Sequence, residues 1–174
     1  RQPTITFQNH PLLKELYRNH GVTIDFRGVL IYPNAGHAIP DKERITGFSA
    51  KILNMLRING VVMTWNGGGH PGIDIMMLCN KCELSGISTT LISPQMSQSD
   101  NDPGFVHYVP EATAIVNSGN YEEPITLPAA DKVLGGTHLS VPPVDASQSL
   151  NLTTKYLYAA TSPLGATTLS NVLF

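Results

Sequence analysis

The stretch from Val61 to Glu83 constrains the fold more than any other part of the sequence. It begins with the β-branched run VVMTW, which is typical of a strand and is followed by Asn66 and three consecutive glycines. His70 and Pro71 then open an apolar segment with helical spacing, and proline suits a first helical turn because its missing N–H is not needed there. The stretch therefore predicts a strand, a tight turn and a helix. In open α/β sheets, turns at the carboxyl ends of strands are where ligands bind.

The flanking segments continue this alternation of helices and strands. Apolar spacing and turn residues predict two further helices, Pro11–His20 and one that starts at Asp41 and ends at Asn59–Gly60. They also predict a strand buried on both faces over Gly28–Pro33, a strand over Ser88–Ile92, and a short helix running into a fourth strand over Pro110–Val116. Short connections between alternating elements favour a parallel sheet with right-handed crossovers.

We therefore expect one α/β domain over residues 1–174, with a three-layer, mostly parallel, Rossmann- or flavodoxin-like sheet and helices on both faces. Residues 1–27 would form an N-terminal arm and helix, and residues 28–116 a βαβαβ core. Residues 117–174, broken by prolines and glycines, would form an irregular extension with an edge strand over residues 151–161.

The composition limits the classes of function that are open to the chain. Charged residues make up only 14%, below the usual quarter, which is typical of a surface partly covered by other subunits; the alternative is a surface kept soluble by polar uncharged residues. The formal net charge is -2 and no basic cluster is present, which argues against nucleic acid binding. No run approaches the roughly 18 apolar residues of a membrane span. Without a hydrophobic signal region either, we expect a cytoplasmic protein.

Two predicted turns carry polar groups that could bind a ligand. Gly67–Gly69 lacks the Walker lysine and the GxGxxG spacing, but its backbone N–H groups could bind a carboxylate at a helix N-terminus. The alternative is a turn that only needs small residues. His70 could titrate near neutrality or donate to a ligand, or could be a surface turn residue. In the turn Asn117–Asn120, Asn120 could hydrogen-bond a carboxylate and the following Glu122 could orient an amine; a capping role is the alternative.

Other chemistry-bearing residues favour structural roles. Cys79 and Cys82 form a CxxC motif inside a helix, whereas redox motifs use the helix N-terminus to lower the thiol pKa. They are more simply buried thiols on a helix face, and without a second pair a structural zinc has little support. The charged run Asp41–Arg44 reads as a solvated first helical turn. The remaining histidines are scattered, and we expect no metal site.

Several segments in order resemble one protein family. They are Gln8–Leu12, Leu16–Gly21, Phe26–Val29, Asp41–Arg44, the GGGHPGID turn, Ser118–Asn120 and Leu127–Pro128. The chain resembles the carboxyl-terminal, pyruvoyl-bearing chain of the selenium-dependent amino-acid reductases. That family comprises D-proline reductase and the component B subunits of glycine, sarcosine and betaine reductases, enzymes of amino-acid fermentation. The resemblance extends from near the N-terminus through the fourth strand.

The resemblance implies a cofactor and partners. In the family a proprotein cleaves itself before a cysteine that becomes a pyruvoyl group, which here would stand immediately before Arg1. The pyruvoyl ketone condenses with the substrate amine, and a selenocysteine of a partner subunit attacks the α carbon, so that the C–N bond is cleaved reductively. The partners would be the N-terminal half of the proprotein and the selenocysteine subunit, in a hetero-oligomer that takes a small amino acid.

If a pyruvoyl is present, we expect the two predicted turns to line the pocket around it, because both lie at strand ends; their residues are not carried over from the family. His70, Asn120 and Glu122 would be catalytic, and Arg1 with Gly67–Gly69 would hold the cofactor. The GGGHP turn and the histidines near the start favour D-proline, reduced to 5-aminovalerate, with glycine, sarcosine or betaine as the alternative. An alternative of another class is a non-catalytic α/β ligand-binding or structural subunit.

Overall fold

The structure, a computed structural model, describes residues 11–32, 36, 38–65, 69–95, 105–120, 122–140 and 143–153. The helices in these ranges are α1 (Pro11–Asn19), α2 (Ile39–Met55) and α3 (His70–Leu84). The strands are β1 (Gly60–Thr64), β2 (Ser88–Gln95), β3 (Ile115–Asn120), β4 (Pro124–Leu127), β5 (His138–Ser140), β6 (Pro143–Asp145) and β7 (Leu150–Thr153).

The central sheet contains β1, β2 and β3 in that order, and both neighbouring pairs are parallel. Gly60 is paired with Ser88 at one end of the β1–β2 ladder, and Thr64 with Ile92 at the other. Since parallel neighbours require a crossover connection, α3 joins β1 to β2 as the sequence pattern predicted. The structure thus confirms an α/β fold with a parallel sheet.

Helix α3 forms the centre of the described core. It packs against both β2 and α2, and most of its residues are buried. Met76, Cys79 and Cys82 are fully buried and belong to one hydrophobic cluster with Leu91 of β2 and Leu53 of α2. A helix that is apolar on most of its circumference is stable only where it is enclosed. The long apolar run after Pro71 therefore determines which helix lies between the sheet and α2.

The predicted strand over Gly28–Pro33 is wrong. Residues 28–32 have no regular structure, and Ile31 is 84% exposed. Gly28 has φ 137°, outside the extended range of a strand. A short apolar run predicts a buried strand only if a neighbouring strand accepts its hydrogen bonds, and β1 pairs only with β2 among the described strands. The run instead leads across the surface towards α2.

The predicted turn at Asn117–Asn120 is also wrong, because these residues continue β3. The chain after β3 is more regular than expected. Strand β4 pairs with β7, and β5 pairs with β6, in two antiparallel two-stranded sheets. The expected edge strand begins at Leu150, and its predicted continuation beyond Thr153 lies outside the described residues.

Helices α2 and α3 end in the same hydrogen-bonded motif with different residues at the left-handed position. At the end of α2, Arg57 has φ 55° and Ile58 N donates to Leu53 O at 3.1 Å. At the end of α3, Gly86 has φ 79° and Ile87 N donates to Cys82 O at 2.9 Å. This is the Schellman arrangement, in which glycine is usual. Helix α2 therefore ends earlier than the predicted stop at Asn59–Gly60.

We expect Arg57→Gly to raise the free energy of unfolding by about 0.5–1 kcal/mol, since it removes the strain of a left-handed non-glycine residue. Gly86→Ala is the matched change and should lower it by about 1 kcal/mol. A Cβ atom on Gly86 would meet nothing within 4 Å, so that loss would be one of backbone conformation alone. Urea denaturation of both variants measures the two effects. If both substitutions raised the free energy of unfolding, or both lowered it, this account would be contradicted.

Candidate ligand site at the carboxyl edge of the sheet

Strands β1, β2 and β3 end at one edge of the parallel sheet. Their last residues are Thr64, Gln95 and Asn120, and α3 begins beside this edge at His70. The ladder between β2 and β3 shifts register here, because Ser93 pairs with Asn117 but Gln95 pairs with Asn120. Such irregularities re-aim side chains and are frequent near binding sites. The carboxyl edge is also where open α/β sheets bind ligands.

A buried ion pair lies next to this edge. Lys42 Nζ is 2.5 Å from Asp74 Oδ1, and their side chains are 0% and 1% exposed. Lys42 Nζ also donates to the backbone oxygen of His70 at 3.4 Å. The pair thus links the first turn of α2 to the first turn of α3. Removing an unpaired charge from water costs several kcal/mol, so each charge is tolerated here because of the other.

The interpretation of Asp41–Arg44 as a solvated turn is wrong for Lys42. Glu43 and Arg44 are exposed, but Lys42 lies on the face of α2 that packs against α3. The signal was in the spacing, because Lys42 stands four residues before buried Thr46 and eleven before buried Leu53. Asp74, an acidic residue flanked by apolar ones in the first half of α3, was the matching sign.

Tyr32 precedes α2 and lies close to Asp74. Burial, and then the charge of Asp74, raise the pKa of Tyr32 to about 12. The hydroxyl therefore stays protonated, as a donor, throughout the physiological range. Its oxygen is buried, and no described residue hydrogen-bonds to it.

Trp65 directly follows β1 and is the only tryptophan of the chain. Its ring packs at a tilt on Phe105, with the ring centroids 6.4 Å apart. The Nε1 atom, which can only donate, is buried and has no acceptor among the described residues. The sequence patterns placed both Trp65 and Tyr32 in predicted strands and indicated neither as a site residue, since an unpaired donor is visible only once the packing is known.

The sequence-predicted site residues lie at or near this edge where the structure describes them. Gly69, with φ 65°, is the N-cap of α3, and half-buried His70 is its first residue. Asn120 ends β3, two strand spacings or about 10 Å from the end of β1. Half-buried Glu122 follows in the turn before β4. Arg1, Gly67 and Gly68 lie outside the described residues. The catalytic and cofactor-binding roles of all these residues stay predictions.

The CxxC cysteines belong to the core, as predicted. Cys79 and Cys82 are free, fully buried thiols on α3. The Cys79 sulfur lies 3.2 Å from the hydroxyl of Thr89, which in turn donates to Glu83. Burial raises the pKa of both thiols, in Cys82 to about 11, with smaller contributions from neighbouring groups including Glu83. Thiols held protonated in this way are poor nucleophiles and poor metal ligands.

Among the residues that the structure describes, no group of three or more histidine, cysteine or acidic side chains is placed to hold a metal ion. No helix in the described ranges has the length and apolar character needed to cross a membrane.

The fold and the edge define a class: an α/β protein with a parallel sheet and a polar, partly buried candidate ligand site at the carboxyl ends of its strands. Comparison with known families identifies the group within that class. A family model described as glycine/sarcosine/betaine reductase component B subunits matches residues 1–168. The chain belongs to this family.

Individual relatives agree with the family match. The component B subunits alpha and beta of the glycine reductase complex of Peptoclostridium acidaminophilum are 33% identical over 136 residues, which is 78% of this chain and 32% of the relative. The corresponding protein of Acetoanaerobium sticklandii is 32% identical over 146 residues, 83% of this chain and 33% of the relative.

A third relative is named for another substrate. The component B subunit alpha of the sarcosine reductase complex of Peptoclostridium acidaminophilum is 34% identical over 128 residues, 73% of this chain and 30% of the relative. The chain thus spans about a third of the length of these relatives. No solved structure matches it.

Proposed function

We propose that this chain forms part of a component B subunit of an amino-acid reductase complex, and that the carboxyl edge of its sheet forms one wall of the substrate pocket. Family membership supports the assignment to a reductase complex. The observation that carries the placement of the pocket is the buried Lys42–Asp74 pair between α2 and α3. Charges are costly to bury, so a buried pair that joins two helices beside a strand edge is a candidate for positioning a functional group.

The Lys42–Asp74 pair would position the groups that meet the substrate. By binding both Asp74 and the backbone oxygen of His70, Lys42 holds the first turn of α3 in place. That turn presents His70, together with backbone N–H groups that favour an anion such as a substrate carboxylate. Because the two charges cancel, the pair adds little net charge beside the pocket.

The same proposal includes a pyruvoyl group immediately before Arg1 and a selenocysteine supplied by a partner subunit. When present, the pyruvoyl supplies an electron-withdrawing ketone for cleavage of the substrate C–N bond. Two buried donors, the Tyr32 hydroxyl and the Trp65 indole N–H, have no acceptor among the described residues, and each would suit a carbonyl oxygen. Borohydride, which reduces ketones, should abolish activity of the assembled complex and raise the mass of the pyruvoyl-bearing chain by two hydrogens.

For the substrate, we place glycine, sarcosine or betaine before D-proline. The relatives described above are named for glycine and sarcosine, and the family description names glycine, sarcosine and betaine. These molecules share a carboxymethyl group and differ in methylation of the nitrogen. Measuring the turnover of glycine, sarcosine, betaine and D-proline by the assembled complex identifies the substrate. Turnover of D-proline alone would reverse this order.

We expect His70→Ala to lower kcat of the assembled complex by at least tenfold, since a positioned acid or base contributes about 10²–10⁴-fold. His138→Ala is the matched control, because His138 is exposed and its strand, β5, pairs with β6 and not with the central sheet. Asn120→Ala is expected to raise KM if its side chain contacts the substrate carboxylate. Unchanged kcat and KM in both His70→Ala and Asn120→Ala would refute the pocket.

A non-catalytic ligand-binding or structural subunit is the competing function. In that case borohydride would leave the activity of the complex intact, and His70→Ala would act only through stability. Thermal unfolding of His70→Ala, measured alongside kcat, distinguishes the catalytic subunit from the non-catalytic one.

A further inference from the structure

Helix α2 has a second apolar side, which stays exposed in the described structure. Ile45, Phe48, Ile52 and Met55 follow one another at alternating short intervals that place them along one side of the helix, which we call the α2 stripe. Phe48 is 60% exposed and Met55 74%, whereas the buried residues of α2 lie on another side, against α3. Single exposed apolar residues are ordinary, but a contiguous row of them marks an interaction surface.

The segment from Leu12 to Ile31 also leaves its apolar surface uncovered. It contains most of α1 and the connection that follows, and none of its residues is buried. Leu12, Leu13, Leu16 and Tyr17 share one face of α1, yet α1 does not pack extensively against another described helix or strand. A helix of only nine residues is marginal in water without such packing. Helix α1 therefore needs an apolar surface to pack on.

The apolar face of α1 and the α2 stripe match in length. The nine residues of α1 span about 13 Å, and the stripe from Ile45 to Met55 is about 15 Å long. The two surfaces do not cover each other within one chain, since α1 and α2 are not packed together. A second copy of the chain can supply each surface with the other, and a twofold axis then repeats the contact.

The area of the two surfaces together is that of a stable dimer. Full burial removes roughly 60–120 Å² from water for each large apolar side chain, and the eight residues of the two surfaces, half-covered already, would lose on the order of 400 Å² per chain. With the polar part of an interface included, this corresponds to about 700 Å² per chain, close to the ~800 Å² of a standard interface. The α2 stripe packed on its own copy would provide only about half of this area.

We propose that two copies of this chain form a symmetric dimer in which α1 of each copy packs on the α2 stripe of the other. Exchange of an identical element between two copies is a low-cost route to a dimer. Both apolar surfaces are then covered on both copies. The dimer does not depend on the proposed reductase role, and it predicts that an assembled complex contains this chain in pairs.

Size-exclusion chromatography with light scattering tests the dimer in the full chain. We expect a concentration-dependent dimer with a micromolar or lower Kd. Phe48→Glu on the stripe and Tyr17→Glu on α1 should each raise this Kd at least about 100-fold, because the twofold axis puts each new charge into both contacts. Leu134→Glu is the matched control and should leave the Kd unchanged, since Leu134 is exposed and belongs to neither surface.

Mixing the two variants distinguishes exchange of α1 from other arrangements. In a mixed dimer, α1 of the Phe48→Glu copy meets the intact stripe of the Tyr17→Glu copy, so one of the two contacts is unimpaired. We therefore expect mixing to restore dimers at concentrations where either variant alone is monomeric. A native chain that stays monomeric, a Tyr17→Glu variant that dimerises as the native chain does, or a mixture that stays monomeric would overturn the proposal.

Hydrogen exchange shows whether α1 packs on its own chain or on a second copy. The amides of α1 should be protected in the dimer and lose that protection on dilution and in Phe48→Glu, while those of α3 stay protected. Protection of α1 that does not depend on concentration would mean packing within one chain and would overturn the proposal. Circular dichroism checks that each variant folds. Phe48→Ala and Tyr17→Ala replace a glutamate variant that does not, and these too should weaken the dimer.

Discussion

Replacing Lys42 with methionine is expected to lower the free energy of unfolding by about 3–5 kcal/mol, enough to unfold many domains of this size. Methionine keeps much of the side-chain volume but leaves the Asp74 carboxylate buried without its counter-charge. The loss would come from this stranded charge more than from the deleted contact. Urea denaturation followed by circular dichroism measures it.

The double variant Lys42→Met/Asp74→Leu should recover most of the loss. Replacing both members of a buried pair by apolar side chains is often neutral or stabilising. A bridge on the surface of the same two helices supplies the control, since Lys81 of α3 binds Glu43 of α2 with both side chains partly exposed. Lys81→Met is expected to cost at most about 1 kcal/mol. A similar cost for Lys42→Met would mean that water reaches the buried pair.

Raising the pH from about 9 to 11 is expected to lower the free energy of unfolding by about 2 kcal/mol through Cys82 alone. Burial first, and then Cys79 and Glu83, raise the pKa of this thiol from 9.0 to about 11. Between these values the unfolded chain has lost the thiol proton and the folded chain retains it. The unfolded state is therefore favoured as the pH rises. Stability from this group is complete below pH 9 and is lost as the pH passes through 11.

Cys82→Ala tests the assignment of this pH dependence. The variant will be less stable at every pH because of the space it leaves, but its stability should fall less steeply between pH 9 and 11. Cys79 and Tyr32, whose pKa values are also raised, act in the same direction and remain in the variant. Parallel curves for the native chain and Cys82→Ala would show that Cys82 ionises equally in both states.

Local patterns predicted the segments that stabilise themselves. The strand, turn and helix after Val61 form because β-branched residues, glycines and an apolar helical repeat all favour the same structure. The buried cysteines followed from their helix position in the same way. The prediction of a strand over Gly28–Pro33 was wrong because a strand also needs a neighbouring strand, and the sequence does not say which strands will be adjacent.

The candidate site was predicted only in outline. The carboxyl edge could be located, since any parallel sheet brings its strand ends together. The buried groups beside this edge could not be predicted from the sequence. Lys42 and Asp74 are 32 residues apart in sequence. The charge run at Asp41–Arg44 looked solvated because each of its residues, taken singly, prefers water.

The stretch after Val61 thus determined by itself the fold class, the helix that lies in the core and the edge where a ligand would bind. Only the tertiary structure decided that Lys42 is buried against Asp74 and that the donors of Tyr32 and Trp65 lack acceptors among the described residues. The physical reason is the distance along the chain over which each effect acts. Backbone preference and hydrophobic periodicity act within a few residues of the chain, whereas burial and the pairing of charges depend on which distant segments pack together.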